Sequence, residues 1–218
     1  MGDPEHFYRP DKWNPDGYLE QIEIHAINIP LVNGPWWKFA YFSLPSTKTI
    51  MKRAEKRADQ IRQTGIRYKN RVVKEARFCL TLPAWLRYGP RIDGVLVCLR
   101  EPIQAARSIQ KRNFTTIKHA LDLWYIHNTR LLENAEGIPT WFVYYNNVLN
   151  ESLFLQEMKG AFHFFGYELA DDELKALRKK CVKPEMNHFP EKPARYPHKI
   201  EALWEQLLRR HEARFESV

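Results

Sequence analysis

The chain has few cysteines and no long apolar run. Its three cysteines, Cys79, Cys98 and Cys181, are an odd number without C-x-x-C spacing, which is unlike a disulfide framework and favours a reducing cytoplasm. No stretch reaches the roughly 18 apolar residues of a membrane span, and the first 20 residues contain no apolar signal-peptide core. We therefore expect a soluble, cytoplasmic protein with no membrane partner.

Positive charge exceeds negative charge only moderately. The 218 residues include 34 Lys and Arg against 26 Asp and Glu, a net charge of +8, which suits an anionic partner. The basic run at 48–62 is interleaved with acidic residues, not with aromatic residues as a nucleic-acid stacking surface would require, so no nucleic acid is expected. Its apolar positions Ile50, Ala54 and Ile61 form a thin seam, so we interpret the run as a solvated helix face rather than a surface that steers an anionic acceptor.

Apolar runs alternate with helical periodicities along the chain, and no internal repeat occurs. The predicted strands are 70–76, 94–100 and 138–145. The predicted helices include 16–32, 46–64, 102–112, 115–133, 149–165, 171–181 and 198–215. This alternation favours an α/β fold in which helices flank a three-layer parallel sheet, as a single domain over 1–218. The continuous apolar run at 94–100 predicts a strand covered on both faces.

Basic side chains follow two of the predicted strands. In a parallel sheet, ligands bind beyond the carboxyl ends of the strands, where helix N-termini present free N–H groups. Lys74 and Arg77 lie at the end of the first strand; Arg100 ends the second, with Ser108 eight positions later. A guanidinium makes bidentate, charge-assisted bonds to a phosphate and a hydroxyl adds a neutral donor, so the second pair predicts a phosphate site. An arginine before a polar helix is, however, common in proteins of any function.

Several segments resemble the sulfotransferases that use 3′-phosphoadenosine 5′-phosphosulfate (PAPS). The family's 3′-phosphate segment has a strand-end arginine followed eight positions later by a serine, as Arg100 and Ser108 are in "VLVCLREPIQAARSIQKR". "ALDLWYIHNTRLLE" resembles the Trp-containing helix that follows this site, and "PTWFVYYNNVLNE" the next strand and loop. The resemblance runs from about residue 12 to residue 190.

Two upstream segments extend this resemblance. "VVKEARFCLTLPAWL" is similar to the Lys-Asp-Pro-Arg segment of bacterial and tyrosyl-protein sulfotransferases, with Lys74 and Arg77 matched and Glu75-Ala76 in place of Asp-Pro. "NPDGYLEQIEIHAIN" resembles the segment in which a glutamate, here Glu20, follows an Asn-x-x-Gly-aromatic turn.

The resemblance implies an activity and its residues. PAPS would be the co-substrate, no metal would be needed, and the acceptor would be a hydroxyl or amine on a small molecule, a sugar or a peptide. Glu20 would be the general base and Lys74 the cation beside the sulfuryl group. Arg100, Ser108 and Arg77 would bind the co-substrate.

The residues themselves leave other roles open. Glu23 and His25 are rivals to Glu20 as the base, and a glutamate in the first turn of a helix also stabilises that helix without any catalysis. Lys74 can be a salt-bridged lysine at a strand end instead of a catalytic cation, and Arg77 can bind substrate or only pair with Glu75.

One family feature is missing from the sequence. The family begins with a central strand and a Gly-, Ser- and Thr-rich turn that holds the 5′-phosphosulfate, and no such run occurs here. We therefore expect a sulfotransferase-like fold without its first central strand, which would favour pairing with a second copy. Such a chain would be a shortened gene product, a partner of a chain that supplies the loop, or an inactive nucleotide-binding or scaffold protein.

Overall fold

The structure is a computed structural model that describes residues 6–12, 14–33, 44–184 and 195–213. Its fold is mixed α/β and mostly helical, with a two-stranded parallel sheet among the described residues. The chain divides into two compact units, of which unit 1 is Met1–Ile92 with His127–Glu136, and unit 2 is Asp93–Ile126 with Gly137–Val218. The single domain expected over 1–218 stays a prediction.

The helices and strands have the following bounds. In unit 1 they are α1 (Ile22–Val32), α2 (Thr47–Glu55), α3 (Ala58–Arg67) and α4 (Phe78–Tyr88). In unit 2 they are β1 (Val95–Leu99), α5 (Pro102–Asn113), β2 (Thr140–Tyr144), α7 (Tyr145–Leu149), α8 (Glu151–Phe164), α9 (Asp171–Cys181) and α10 (His198–Ala213). Helix α6 (Ile117–Asn134) contributes residues to both units. None of the helices in this described part has the length and apolar character needed to cross a membrane.

The apolar seam predicted from the basic run lies in the core of unit 1. Ile50, Ala54 and Ile61 are fully buried, as expected for the narrow apolar face of a solvated helix. The single helix expected over 46–64 is instead two helices, α2 and α3, because a turn at Lys56 and Arg57 interrupts it. Both helices still pack against α4, so the break keeps the seam buried.

The prediction of a strand over 70–76 is wrong. Within it, Lys74 makes one parallel bridge with Glu20, and no regular strand forms. The bridge cannot extend, because Glu20 runs directly into α1 while Lys74 is followed by the turn into α4. Asn70 adopts a left-handed φ of 60°, which is incompatible with extended backbone at the start of the predicted strand.

The other two predicted strands are confirmed in unit 2. β1 and β2 run parallel, with Val97 opposite Phe142 in the register. Val97 and Leu99 are buried while Leu96 and Cys98 are exposed, so the expectation of a strand covered on both faces is wrong for β1 in the described structure. Among the described residues the sheet is this one pair of strands. Burial alternates along β1 as in a half-buried strand, whereas Trp141, Phe142 and Val143 of β2 are all buried.

Candidate functional site

Two segments of unit 1 that are far apart in sequence lie side by side. The backbone bridge between Glu20 and Lys74 places their side chains together, with Lys74 Nζ 3.6 Å from Glu20 Oε1. Lys74 Nζ also donates to the carbonyl oxygen of Tyr18. Glu20 is buried at 7% exposure whereas the Lys74 side chain is exposed, so a buried carboxylate faces a cation that reaches solvent.

Glu20 precedes the first helix and does not belong to its first turn. Helix α1 begins at Ile22, with Gln21 as its N-cap. Leu19, directly before Glu20, adopts a left-handed φ of 54° although it is a bulky residue, and the residue is 47% exposed. Strained backbone of this kind often occurs beside functional groups. Sequence reasoning missed Leu19, since nothing in the pattern marks a leucine for positive φ.

Three more side chains lie beside this pair, those of His25, Glu75 and Arg77. We term the five residues Glu20, His25, Lys74, Glu75 and Arg77 the Glu20 cluster. His25 Nδ1 lies 3.6 Å from Glu20 Oε2 and 3.2 Å from Glu75 Oε2. Arg77 donates to Glu75 Oε1 from its guanidinium at 2.9 Å and from its backbone N–H at 3.0 Å. The cluster thus combines two carboxylates, two cations and one imidazole, and the pairing of Arg77 with Glu75 that the sequence left open is present.

The cluster contains carboxylate and imidazole groups that could bind a metal, but its carboxylates are already neutralised by side-chain cations. The donor atoms of Glu20, His25 and Glu75 lie within 4.8 Å of one another, and all three residues are buried. Lys74 and Arg77 already neutralise both carboxylates, and the Arg77 guanidinium contacts both His25 and Glu75. Because a cation is already in place, we assign no metal to these residues.

Arg100 lies in unit 2, directly after β1, as the sequence predicted. Its guanidinium stacks on the Tyr145 ring at 4.6 Å from the centroid, and its carbonyl oxygen accepts a hydrogen bond from Trp124 Nε1 at 3.3 Å. Partial burial lowers the pKa of the Arg100 guanidinium below its usual range. A partly desolvated cation of this kind gains more from a bound anion than a fully hydrated one does.

Ser108 lies well inside α5 and not at its N-terminus. The helix begins at Pro102, and Ser108 is half-buried near its middle. Gln104 lies one turn before Ser108 on the same side of α5 and is 1% exposed. Neither amide atom of Gln104 has a hydrogen-bond partner in the described part of the chain. Sequence reasoning missed Gln104, because burial of an amide leaves no mark in the residue pattern.

The predicted residues therefore fall into two groups, one in each unit. Glu20, Lys74 and Arg77 belong to one cluster in unit 1. Arg100 and Ser108 belong to the β1–α5 segment of unit 2. Comparison of the chain with models of protein families, with curated proteins and with solved structures gives no match in any of the three.

Proposed function

We propose that the chain is a bacterial-type PAPS-dependent sulfotransferase with the three-layer fold of that family, without its first central strand. The observation that supports this most directly is the pairing of Glu20 with Lys74. The resemblance assigned a role to each residue separately, from two segments that share no sequence pattern with each other. A buried carboxylate beside an exposed ammonium provides the proton acceptor and the cation that sulfuryl transfer needs.

The proposed reaction is an in-line displacement at sulfur. As in phosphoryl transfer, charge spreads over the equatorial oxygens, so positioning and cations contribute more than covalent catalysis. Glu20 removes the proton of the acceptor hydroxyl or amine, and Lys74 stabilises the sulfuryl oxygens. Arg100 and Ser108 hold the 3′-phosphate and Arg77 also serves co-substrate binding, while a sugar, a peptide or a small molecule serves as acceptor.

The three cysteines form no disulfide, which supports a cytoplasmic location.

A second candidate is a sulfotransferase-like protein that binds nucleotide or acts as a scaffold without catalysis. The observation that favours it is the completeness of the pairing in the Glu20 cluster. Each carboxylate there already contacts a cation, as in a structural ion-pair network. The two candidates differ in turnover and share the 3′-phosphate contact.

Calorimetric titration of the purified chain with 3′-phosphoadenosine 5′-phosphate (PAP) tests the nucleotide site, with 5′-AMP as the control ligand. We expect PAP to bind about tenfold to a hundredfold more tightly, since a hydrogen bond to a charged group contributes about 1.5–3 kcal/mol. A screen of hydroxyl and amine acceptors with PAPS then tests turnover. Equal affinity for both nucleotides would contradict the assignment of the site.

We predict that Arg100→Ala removes most of the preference for PAP. The affinity for PAP should fall about tenfold to a hundredfold, because a charge-assisted bond to the 3′-phosphate is lost, while the affinity for 5′-AMP changes little. Titration of the variant with both nucleotides measures this difference. Arg209→Ala is the matched control, because Arg209 is an exposed arginine of the same unit. Equal losses for PAP and 5′-AMP would rule out a role for Arg100 at the 3′ position.

A further inference from the structure

The Nδ1 atom of His25 contacts groups that make opposite demands on it. The Arg77 guanidinium lies 3.1 Å away and can only donate a hydrogen bond, so this contact requires Nδ1 to be unprotonated. Glu75 Oε2 lies 3.2 Å away and, as a carboxylate, only accepts, so this contact requires Nδ1 to carry a proton. Both contacts are available to the same atom, so Nδ1 has a stabilising partner in either protonation state.

The rest of the surroundings of His25 connect this atom to the candidate base. Glu20 Oε2 lies 3.6 Å from Nδ1, a distance that a small side-chain movement shortens to a hydrogen bond. The Tyr8 ring packs on the imidazole with centroids 4.4 Å apart, and an aromatic face stabilises an adjacent cation. Lys74 faces Glu20 and completes the set of charged neighbours. His25 itself is 8% exposed, so a proton that passes between His25 and Glu20 or Glu75 moves away from bulk water.

We propose that His25 is the second proton acceptor of the reaction and acts through Glu20. The inference rests on the proposed sulfotransferase function and adds a step to it. His25 does not touch the substrate; it returns Glu20 to the carboxylate form after each transfer. Glu75 and the Tyr8 ring stabilise the imidazolium, and Arg77 stabilises the neutral imidazole.

The proton and electron pairs balance over the two steps. First, the acceptor O–H bond breaks, its proton moves to Glu20, and the acceptor oxygen bonds to sulfur while the S–O bond to the 5′-phosphate of PAP breaks. The leaving PAP keeps the electron pair of that bond. Second, the proton moves from Glu20 Oε2 to His25 Nδ1, and the imidazolium later releases it to water. No oxidant, reductant or metal takes part in either step.

The first test is the pH dependence of kcat for His25→Gln. We expect kcat to fall about a hundredfold, the lower end of what general acid–base catalysis contributes, with PAP affinity unchanged. The ascending limb of the profile should also move to lower pH, because a carboxylic acid loses its proton at lower pH than an imidazolium does. His163→Gln, an exposed histidine of unit 2, is the matched control and should behave as wild type. A structural role for His25 alone would lower kcat without moving the limb.

The second test follows His25 by nitrogen NMR in protein labelled at histidine, and it needs no turnover. We expect Glu20→Gln and Glu75→Gln each to shift the Nδ1 resonance of His25 at fixed pH, because each replaces a carboxylate beside this atom by an amide. Glu23→Gln is the control, because Glu23 lies on α1 with His25 and pairs with Arg67 at the surface. An unchanged Nδ1 resonance in both test variants would overturn the relay.

The two tests separate failure of the relay from failure of the sulfotransferase proposal. A His25→Gln variant with wild-type kcat and pH profile overturns the relay while sulfuryl transfer stands. A wild-type chain that binds no PAP and transfers no sulfuryl group overturns the proposed function and the relay together. A shifted limb combined with a displaced Nδ1 resonance in the Glu variants supports the relay.

Discussion

Glu20→Gln is expected to abolish sulfuryl transfer and to leave PAP binding nearly intact. Glutamine keeps the size of the side chain but cannot accept a proton, so the acceptor must lose its proton without help. General-base catalysis contributes about 10²–10⁴-fold, and we expect turnover with PAPS to fall by that factor. Release of PAP from PAPS measures the rate, and calorimetry with PAP measures the binding.

The fold should tolerate this substitution. Lys74, the cation beside Glu20, has a side chain that is 57% exposed, so water solvates the ammonium when the carboxylate is removed. The Glu20 backbone keeps its bridge to Lys74 because the amide and carbonyl groups do not change. A thermal unfolding midpoint close to that of wild type would confirm that lost turnover reflects lost chemistry.

Glu23→Gln provides the matched control for the assignment of the base. Glu23 carries the same charge as Glu20 and lies on α1, the helix that follows Glu20. It is half-exposed and accepts a hydrogen bond from the Arg67 guanidinium at 2.8 Å. We expect its removal to change turnover by less than about twofold, in line with a surface ion pair. Retained turnover in Glu20→Gln together with lost turnover in Glu23→Gln would show that the base is Glu23.

The pairing of Glu20 with Lys74 shows what sequence motifs leave undetermined. Matching each residue to a family motif led us to expect both in one reaction, and this shared role stays a prediction. The strand expected at 70–76 did not form, and the two residues meet through a single backbone bridge instead. Contacts between distant segments depend on the packing of the helices around them, which local periodicity does not encode.

The strand β1 shows a second limit. Its continuous apolar sequence correctly predicted a strand, because β-branched and large apolar side chains favour extended backbone. The same sequence did not reveal that Leu96 and Cys98 are exposed, because burial depends on what packs over each face. The stacking of Arg100 on Tyr145 is likewise invisible in the sequence, since it brings together the residues that follow two paired strands.

Glu157→Ala is expected to be the most damaging single substitution for the stability of unit 2. Glu157 lies on α8 and is 1% exposed. One oxygen accepts the Tyr144 backbone N–H at 2.7 Å, the other accepts Asn147 Nδ2 at 2.9 Å, and His211 Nε2 of α10 lies 3.1 Å from both. One carboxylate therefore connects the end of β2, the short helix α7 and the last described helix.

Alanine at this position would remove the acceptor of the partly buried Tyr144 N–H and Asn147 Nδ2 groups. Leaving a donor without its acceptor costs about 1–3 kcal/mol, so the loss of two such bonds is a large share of the free energy of unfolding of a typical domain. Urea unfolding monitored by circular dichroism measures the change. We expect Glu157→Gln to lose less, because its amide oxygen can still accept the Tyr144 N–H.

Glu151→Ala separates the effect of burial from the effect of charge. Glu151 is an exposed glutamate in the first turn of the same helix, so its loss removes mainly a favourable interaction with the helix dipole. That interaction contributes about 0.3–1 kcal/mol, several times less than the buried network. If Glu157→Ala unfolded at the same urea concentration as Glu151→Ala, the carboxylate would not be what connects β2 to α10. The stability of unit 2 would then have to come from its apolar contacts alone.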